Sequence, residues 1–109
     1  IEVVLDAVGL EKELPQADYV VTGEGQLDGQ TVMGKTPVGV AKLAKKYGKK
    51  VIAFAGSVTE DAGACNRAGI DAFFSIIRGV TTLEEALKPE NAKKNIERTA
   101  EQVFRLLIP

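Results

Sequence analysis

Apolar positions along this chain follow two patterns. Three short, continuous runs, Tyr19-Val20-Val21-Thr22, Val51-Ile52-Ala53-Phe54-Ala55 and Ala72-Phe73-Phe74-Ser75-Ile76-Ile77, each meet Gly or Asp at one boundary at least. They do not alternate polar with apolar, which predicts strands of a parallel sheet covered on both faces. Between them the spacing becomes helical. Thr36 reads as an N-cap before Pro37, Val40, Leu43, Ala44 and Tyr47 follow on one face, and Gly48 is a stop. Thr59, Glu60 and Asp61 open a shorter helix that Gly69 ends. Thr82-Leu83-Glu84-Glu85 has capping-box spacing before Ala86-Leu87, and Pro89 interrupts. Glu90 to Leu107 places Ala92, Ile96, Ala100, Val103 and Leu107 on one face of a long amphipathic helix. At the start, Val3, Val4, Leu5 and Val8 are read as a helix end stopped by Gly9, a fourth strand being the alternative.

The predicted order is (α)βαβαβαα. Strands alternating with helices imply an α/β fold: a three-layer, flavodoxin- or Rossmann-like parallel sheet of at least three strands with flanking helices. No repeat, linker or low-complexity stretch divides the chain, so residues 1–109 are read as a single α/β domain. Three strands are few for such a sheet. The chain also starts at Ile1 with its sole methionine at Met33, and the expectation is a piece of a longer protein.

Composition narrows the chemistry. With no His there is no Ser-His-Asp triad, Cys-His dyad or HExxH zinc site. The lone Cys65 allows no internal disulfide and fits a reducing compartment, taken as the cytoplasm. It lies among Ala62, Ala64 and Ala68 and is read as a buried structural residue. No apolar run approaches the about 18 residues of a membrane span, and no segment reads as a signal peptide. A net charge of −1 argues against nucleic-acid binding, despite the lysines between Lys42 and Lys50. Charge is uneven: residues 1 to 34 hold seven acids and one base, and residues 35 to 50 hold six lysines and no acid. That reads as solvated surface, or alternatively as a patch facing an anion.

The stretch from Thr22 to Thr36 carries the chemistry. It follows the first run and leads into the Thr36 helix, and ligands of open parallel sheets bind at the carboxyl ends of strands. Its glycines, Gly23 and Gly25 among them, permit close approach of the backbone to a ligand. Glu24 and Asp28 are candidates to hold Mg²⁺ or to accept a hydroxyl proton. Gln30 and Thr31 offer neutral hydrogen bonds, and Lys35 puts a cation at a helix start. Gly56 and Ser57, ending the second run, would line the same crevice. An ordinary glycine-rich loop is the competing reading.

Gly29 to Thr36 also matches the P-loop pattern GxxxxGK[ST]. Context argues against that fold. Gly23 to Asp28 separate the pattern from the predicted strand end, Pro37 follows at once, and the second run ends in Gly56-Ser57 without an acid.

Asp18-Tyr-Val-Val-Thr-Gly-Glu-Gly-Gln-Leu-Asp-Gly-Gln-Thr31, followed by Gly34-Lys-Thr-Pro-Val-Gly-Val-Ala41, resembles the C-terminal part of the bacterial glycerate kinase family. Ala55-Gly56-Ser57 and Gly69 to Ile76 extend the resemblance over essentially the whole chain. The resemblance implies a fragment of a two-domain kinase that transfers a phosphoryl group from ATP, with Mg²⁺, to a hydroxyl of D-glycerate, usually giving 2-phosphoglycerate. It puts the family's block on Gly23, Glu24, Gly25, Asp28, Gln30, Thr31 and Lys35. Asp28 is then base or metal ligand, Glu24 meets metal or substrate hydroxyls, and Lys35 meets a carboxylate or phosphate. The expected partners are D-glycerate, ATP and the remainder of the parent kinase, with a homo-oligomer through exposed apolar surface also expected. The family's N-terminal block, resembling SDSFKGSL, is missing, so the isolated chain is expected to be inactive. The alternative is a non-catalytic, flavodoxin-like domain that binds a nucleotide or a partner.

Overall fold

A computed structural model of the chain describes residues 3–4, 17–29, 36–86 and 88–108. Its frame is a four-stranded sheet in the order β1-β2-β3-β4: Val3–Val4 (β1), Tyr19–Leu27 (β2), Lys50–Val58 (β3) and Ala72–Ser75 (β4). Every pairing is parallel. The helices are Thr36–Lys46 (α1), Ala64–Arg67 (α2), Leu83–Ala86 (α3) and Pro89–Leu107 (α4), with a 3₁₀ turn at Glu60–Gly63 leading into α2.

Apolar residues on both sides of each central strand explain the continuous runs. Val20, Val51, Ala53 and Ala55 face α1 and α2, joining Val40, Ala41, Ala44, Ala62, Cys65 and Ile70 in one core. Val21, Ile52 and Phe54 face the other way and meet Ile76, with Ala100, Val103 and Phe104 of α4 packed on top. The Tyr19 and Phe104 rings meet edge to face, centroids 5.7 Å apart. The three-layer parallel sheet predicted from the sequence is therefore present, with one more strand than the three apolar runs supply.

Several boundaries differ from expectation. Val3-Val4 is a strand, not a helix end: Val3 pairs with Tyr19 and Val4 with Val20. The helix expected up to Gly9 lies outside the described residues. β2 does not stop at Thr22, and β3 does not stop at Ala55. Each runs on because the two pair with one another, from Tyr19↔Lys50 to Leu27↔Val58. β4 ends at Ser75, two residues before the predicted end. Tyr47 lies past the end of α1 and is exposed, leaving Val40, Ala41 and Ala44 as the buried face. α4 begins at Pro89, one residue before the expected Glu90, and Pro89 separates it from α3 as read from the sequence.

The helix stops behave as read. Gly48 and Gly69 have φ of 68° and 115°. Each closes a Schellman motif: Lys49 N–H donates to Ala44 O and Gly48 N–H to Lys45 O; Ile70 N–H donates to Cys65 O and Gly69 N–H to Asn66 O. Half of the capping box at α3 also forms, with Glu85 N–H donating to Thr82 Oγ1 at 3.1 Å. The Glu85 carboxylate turns instead to Lys88 and Asn91.

At the amino ends of the strands, the Asp71 carboxylate accepts Val51 N–H at 2.7 Å and an ion pair from Lys45. Burial opposes its charge, but the Lys45 hydrogen bond, the Val51 amide and the charges of Lys45 and Lys50 outweigh it and hold the carboxyl below its usual range. A depressed folded pKa stabilises the fold above the unfolded carboxyl's pKa and loses that contribution as pH falls through the folded value. Asp71→Asn is therefore expected to lower stability at pH 7 by about 1 kcal/mol, a figure discounted for solvent access. The deficit should shrink below about pH 4. Urea midpoints of both proteins at pH 7 and pH 3 measure this.

Candidate functional site

The Gly-Glu-Gly-Gln segment lies inside β2, at its carboxyl end, and Gly56-Ser57 lies in the same position on β3. Glu24 pairs with Ala55 and Gln26 with Ser57. Between these pairs the strands crowd: a Cβ on Gly56 would stand 2.8 Å from Gly25 O. Strict alternation would put Leu27 on the face opposite Val20, and Val58 opposite Val51. Val20, Leu27 and Val51 nevertheless share one core, with Val58 packed against it. The glycines occur where the two strands press together, and the polar block follows directly.

Polar groups then converge. Ser57 Oγ donates to Gln26 Oε1 at 3.2 Å, and Gln26 Nε2 donates to Asp28 Oδ2 at 3.1 Å. The Ser57–Gln26–Asp28 line joins the ends of β2 and β3. Asp28 O accepts the Cys65 thiol at 3.6 Å, which gives the fully buried cysteine a structural role. Thr59, just past β3, holds Leu27 O through its N–H at 3.0 Å. Its single hydroxyl hydrogen is shared between Leu27 O and the Asp61 carboxylate.

Asp61 completes the cluster. The Thr59 hydroxyl, then the Gly29 amide, hold its carboxyl below the usual range, against burial and the charge of Asp28. A Cβ on Gly29 would run into the exposed Asp61 carboxylate, which would have to swing aside. Thr59→Val removes the leading cause, and the Asp61 carboxyl should titrate at higher pH. NMR of the Asp61 side-chain carbon across an acid titration reads it; an unchanged midpoint would reject this account.

Of the residues chosen from the sequence, Gly25, Asp28, Gly56 and Ser57 come together at these strand ends. Gly23 pairs with Phe54 two residues earlier. Glu24 stands apart from the Ser57–Gln26–Asp28 line, its carboxylate accepting its neighbour Gly25 N–H at 3.2 Å. Gln30, Thr31 and Lys35 lie outside the described residues. Gln26 and Asp61 join the cluster without standing out in the sequence. Gln26 reads as one polar residue in a glycine-rich loop, and Asp61 as a favourable acid in a first helical turn. Thr59 begins the turn as expected, although its hydroxyl goes to Leu27 O and Asp61, not to the turn's own amides.

β2 brings the P-loop pattern closer to a strand end than the sequence predicts. The strand reaches Leu27, so a single residue, Asp28, separates it from Gly29. Pro37 and the absence of an acid at the end of β3 still count against that fold. The site is identified by converging polar groups, not by depth: a large groove among the described residues lies elsewhere, at the amino ends of the strands, and is apolar. Among the described residues no helix is long and apolar enough to cross a membrane.

Comparison with known proteins gives a consistent match. The model of the glycerate kinase family matches residues 1–108. A glycerate kinase of Bacillus subtilis (strain 168) is 50% identical over 103 residues, covering 94% of this chain and 26% of its own. The glycerate 2-kinase of Escherichia coli (strain K12) is 45% identical over 107 residues, covering 98% and 28%. A crystal structure from Salmonella typhimurium LT2, assigned as glycerate kinase 2, superposes with a TM-score of 0.63 at 48% identity, covering 94% of this chain and 25% of its own. The chain thus spans about a quarter of the length of these relatives.

Proposed function

Because the chain belongs to the glycerate kinase family, we propose that it supplies one wall of an active site that transfers the γ-phosphoryl group of ATP to a hydroxyl of D-glycerate. The remainder of the parent kinase supplies the other wall. The observation carrying this reading is the Ser57–Gln26–Asp28 line at the carboxyl ends of β2 and β3, with Asp61 and Gly29 beside it. The 2-hydroxyl is the proposed acceptor, in keeping with the name of the Escherichia coli relative.

Phosphoryl transfer relies on positioning and charge neutralisation more than on covalent protein chemistry, so a chain without His suffices. The new bond joins the glycerate oxygen to phosphorus, the bond to the ADP oxygen breaks, and the hydroxyl proton must be accepted. Asp28 is the proposed acceptor, oriented by Gln26. Mg²⁺, when bound, would neutralise phosphate charge. It needs only one or two carboxylates besides phosphate oxygens, a requirement Asp28 would meet, while Glu24, which stands apart from it, is the proposed contact for substrate hydroxyls. Lys35, at the start of α1 in sequence, is the proposed cation for a substrate carboxylate or phosphate.

The test is glycerate-dependent ATP consumption by the 109-residue chain and by a full-length kinase containing it. Activity in the full-length protein alone is expected. Absence of activity from the full-length protein would sink the kinase reading, and equal activity in both would sink the half-site.

A further inference from the structure

We propose that Thr59 and Asp61 are positioning residues for Asp28, clamping the main chain on which that carboxylate stands. The inference rests on the phosphoryl-transfer reading above and deepens it, giving a role to two residues that need touch no substrate.

The ladder between β2 and β3 has its last pair at Leu27↔Val58. Asp28 is the next residue, so strand pairing no longer fixes its backbone. Three side chains from beyond β3 take over. Thr59 N–H donates to Leu27 O at 3.0 Å, and the Thr59 hydroxyl lies 3.3 Å from the same oxygen. The Cys65 thiol donates to Asp28 O at 3.6 Å. The Asp61 carboxylate accepts the Gly29 amide and also the Thr59 hydroxyl. These contacts fall on three consecutive residues: the one before the acid, the acid itself and the one after. With the main chain held, Gln26 sets the direction of the side chain, donating to Asp28 Oδ2 at 3.1 Å.

Such a clamp matters for catalysis more than for folding. A reacting group must be held to within roughly 0.5 Å, and a displacement of about 1 Å can cost on the order of 10²-fold in rate. Asp61 is exposed and Thr59 only half-buried, so neither fills the core. Substitution of an exposed side chain usually changes stability little. The contacts of Asp61 with Gly29 and Thr59 both bear on the segment that carries Asp28.

Kinetics of the full-length kinase test the clamp. Asp61→Ala removes the acceptor for the Gly29 amide, and Thr59→Val removes the hydroxyl at nearly the same shape. Each should lower kcat for glycerate phosphorylation by about 10–10²-fold, with the KM for ATP changing less than about twofold. Thr59→Ser keeps a hydroxyl and should recover most of the turnover lost in Thr59→Val. The urea midpoint of Asp61→Ala should stay close to that of the unsubstituted kinase, which separates a slower enzyme from an unfolded one. The sharpest comparison uses Asp28→Asn as the background. A residue that acts only through Asp28 has nothing left to position there, so adding Asp61→Ala should slow turnover by less than about twofold further. Unchanged kcat in Asp61→Ala, or losses that multiply in the double variant, would overturn the proposal. No glycerate-dependent ATP consumption by the unsubstituted full-length kinase would reject the reaction itself. An active kinase whose two losses multiply rejects the clamp alone, so the two readings fail separately.

Discussion

Asp28→Asn in the full-length kinase is expected to lower glycerate-dependent turnover by about 10²–10⁴-fold, the range for loss of a general base. The substitution preserves shape, so the fold should survive it. An Asn oxygen can still accept Gln26 Nε2, and the main-chain oxygen that receives the Cys65 thiol is untouched. What is lost is a negative charge and a proton acceptor at the carboxyl end of β2. The kinetics separate these two uses. A proton acceptor gives a fall in kcat with little change in the KM for ATP, while a metal-binding carboxylate gives a fall that excess Mg²⁺ partly restores. Steady-state rates over a range of glycerate, ATP and Mg²⁺ concentrations make the measurement. Turnover near that of the unsubstituted enzyme removes Asp28 from the mechanism, whatever the family.

The same strand end shows which signals a sequence carries. Val51 to Ala55 reads as a buried strand because each residue has a core to face on one side of the sheet or the other. Gly23 to Leu27 has no such signature. Glycine, glutamate and glutamine are poor strand formers, and the ladder to β3 extends this segment. Pairing across about thirty residues leaves no local trace. β1 was misread for a related reason: two valines are too short a run for periodicity to separate strand from helix, and the partners Tyr19 and Val20 decide. Asp28 stands out in the sequence as a candidate acid because it sits in a specific block, whereas Asp61 does not. Its contact with Gly29 depends on the turn after β3 folding back over the end of β2. Helix stops, by contrast, are local chemistry, and Gly48 and Gly69 were found from sequence alone.

Gly56→Ala should destabilise the chain by about 1–3 kcal/mol, the cost of forcing an extra carbon into packed structure. The added Cβ would lie 2.8 Å from Gly25 O, a distance that real Cβ contacts essentially never show. The obstacle is main chain, so no side chain can swing aside; β2 and β3 must move apart where Glu24↔Ala55 gives way to Gln26↔Ser57. That movement also strains the Ser57–Gln26 hydrogen bond, and in the full-length kinase turnover should fall beyond what lost stability explains. Gly63→Ala is the control. Its backbone is helical, with φ of −54°, and its Cβ would meet nothing within 4 Å. That substitution should be neutral or stabilise by up to about 1 kcal/mol through the unfolded chain. Urea unfolding of the three proteins compares them directly. A Gly56→Ala midpoint equal to that of the unsubstituted chain would mean that the two strands do not press together at this point, and the steric basis for glycine beside the site would fall.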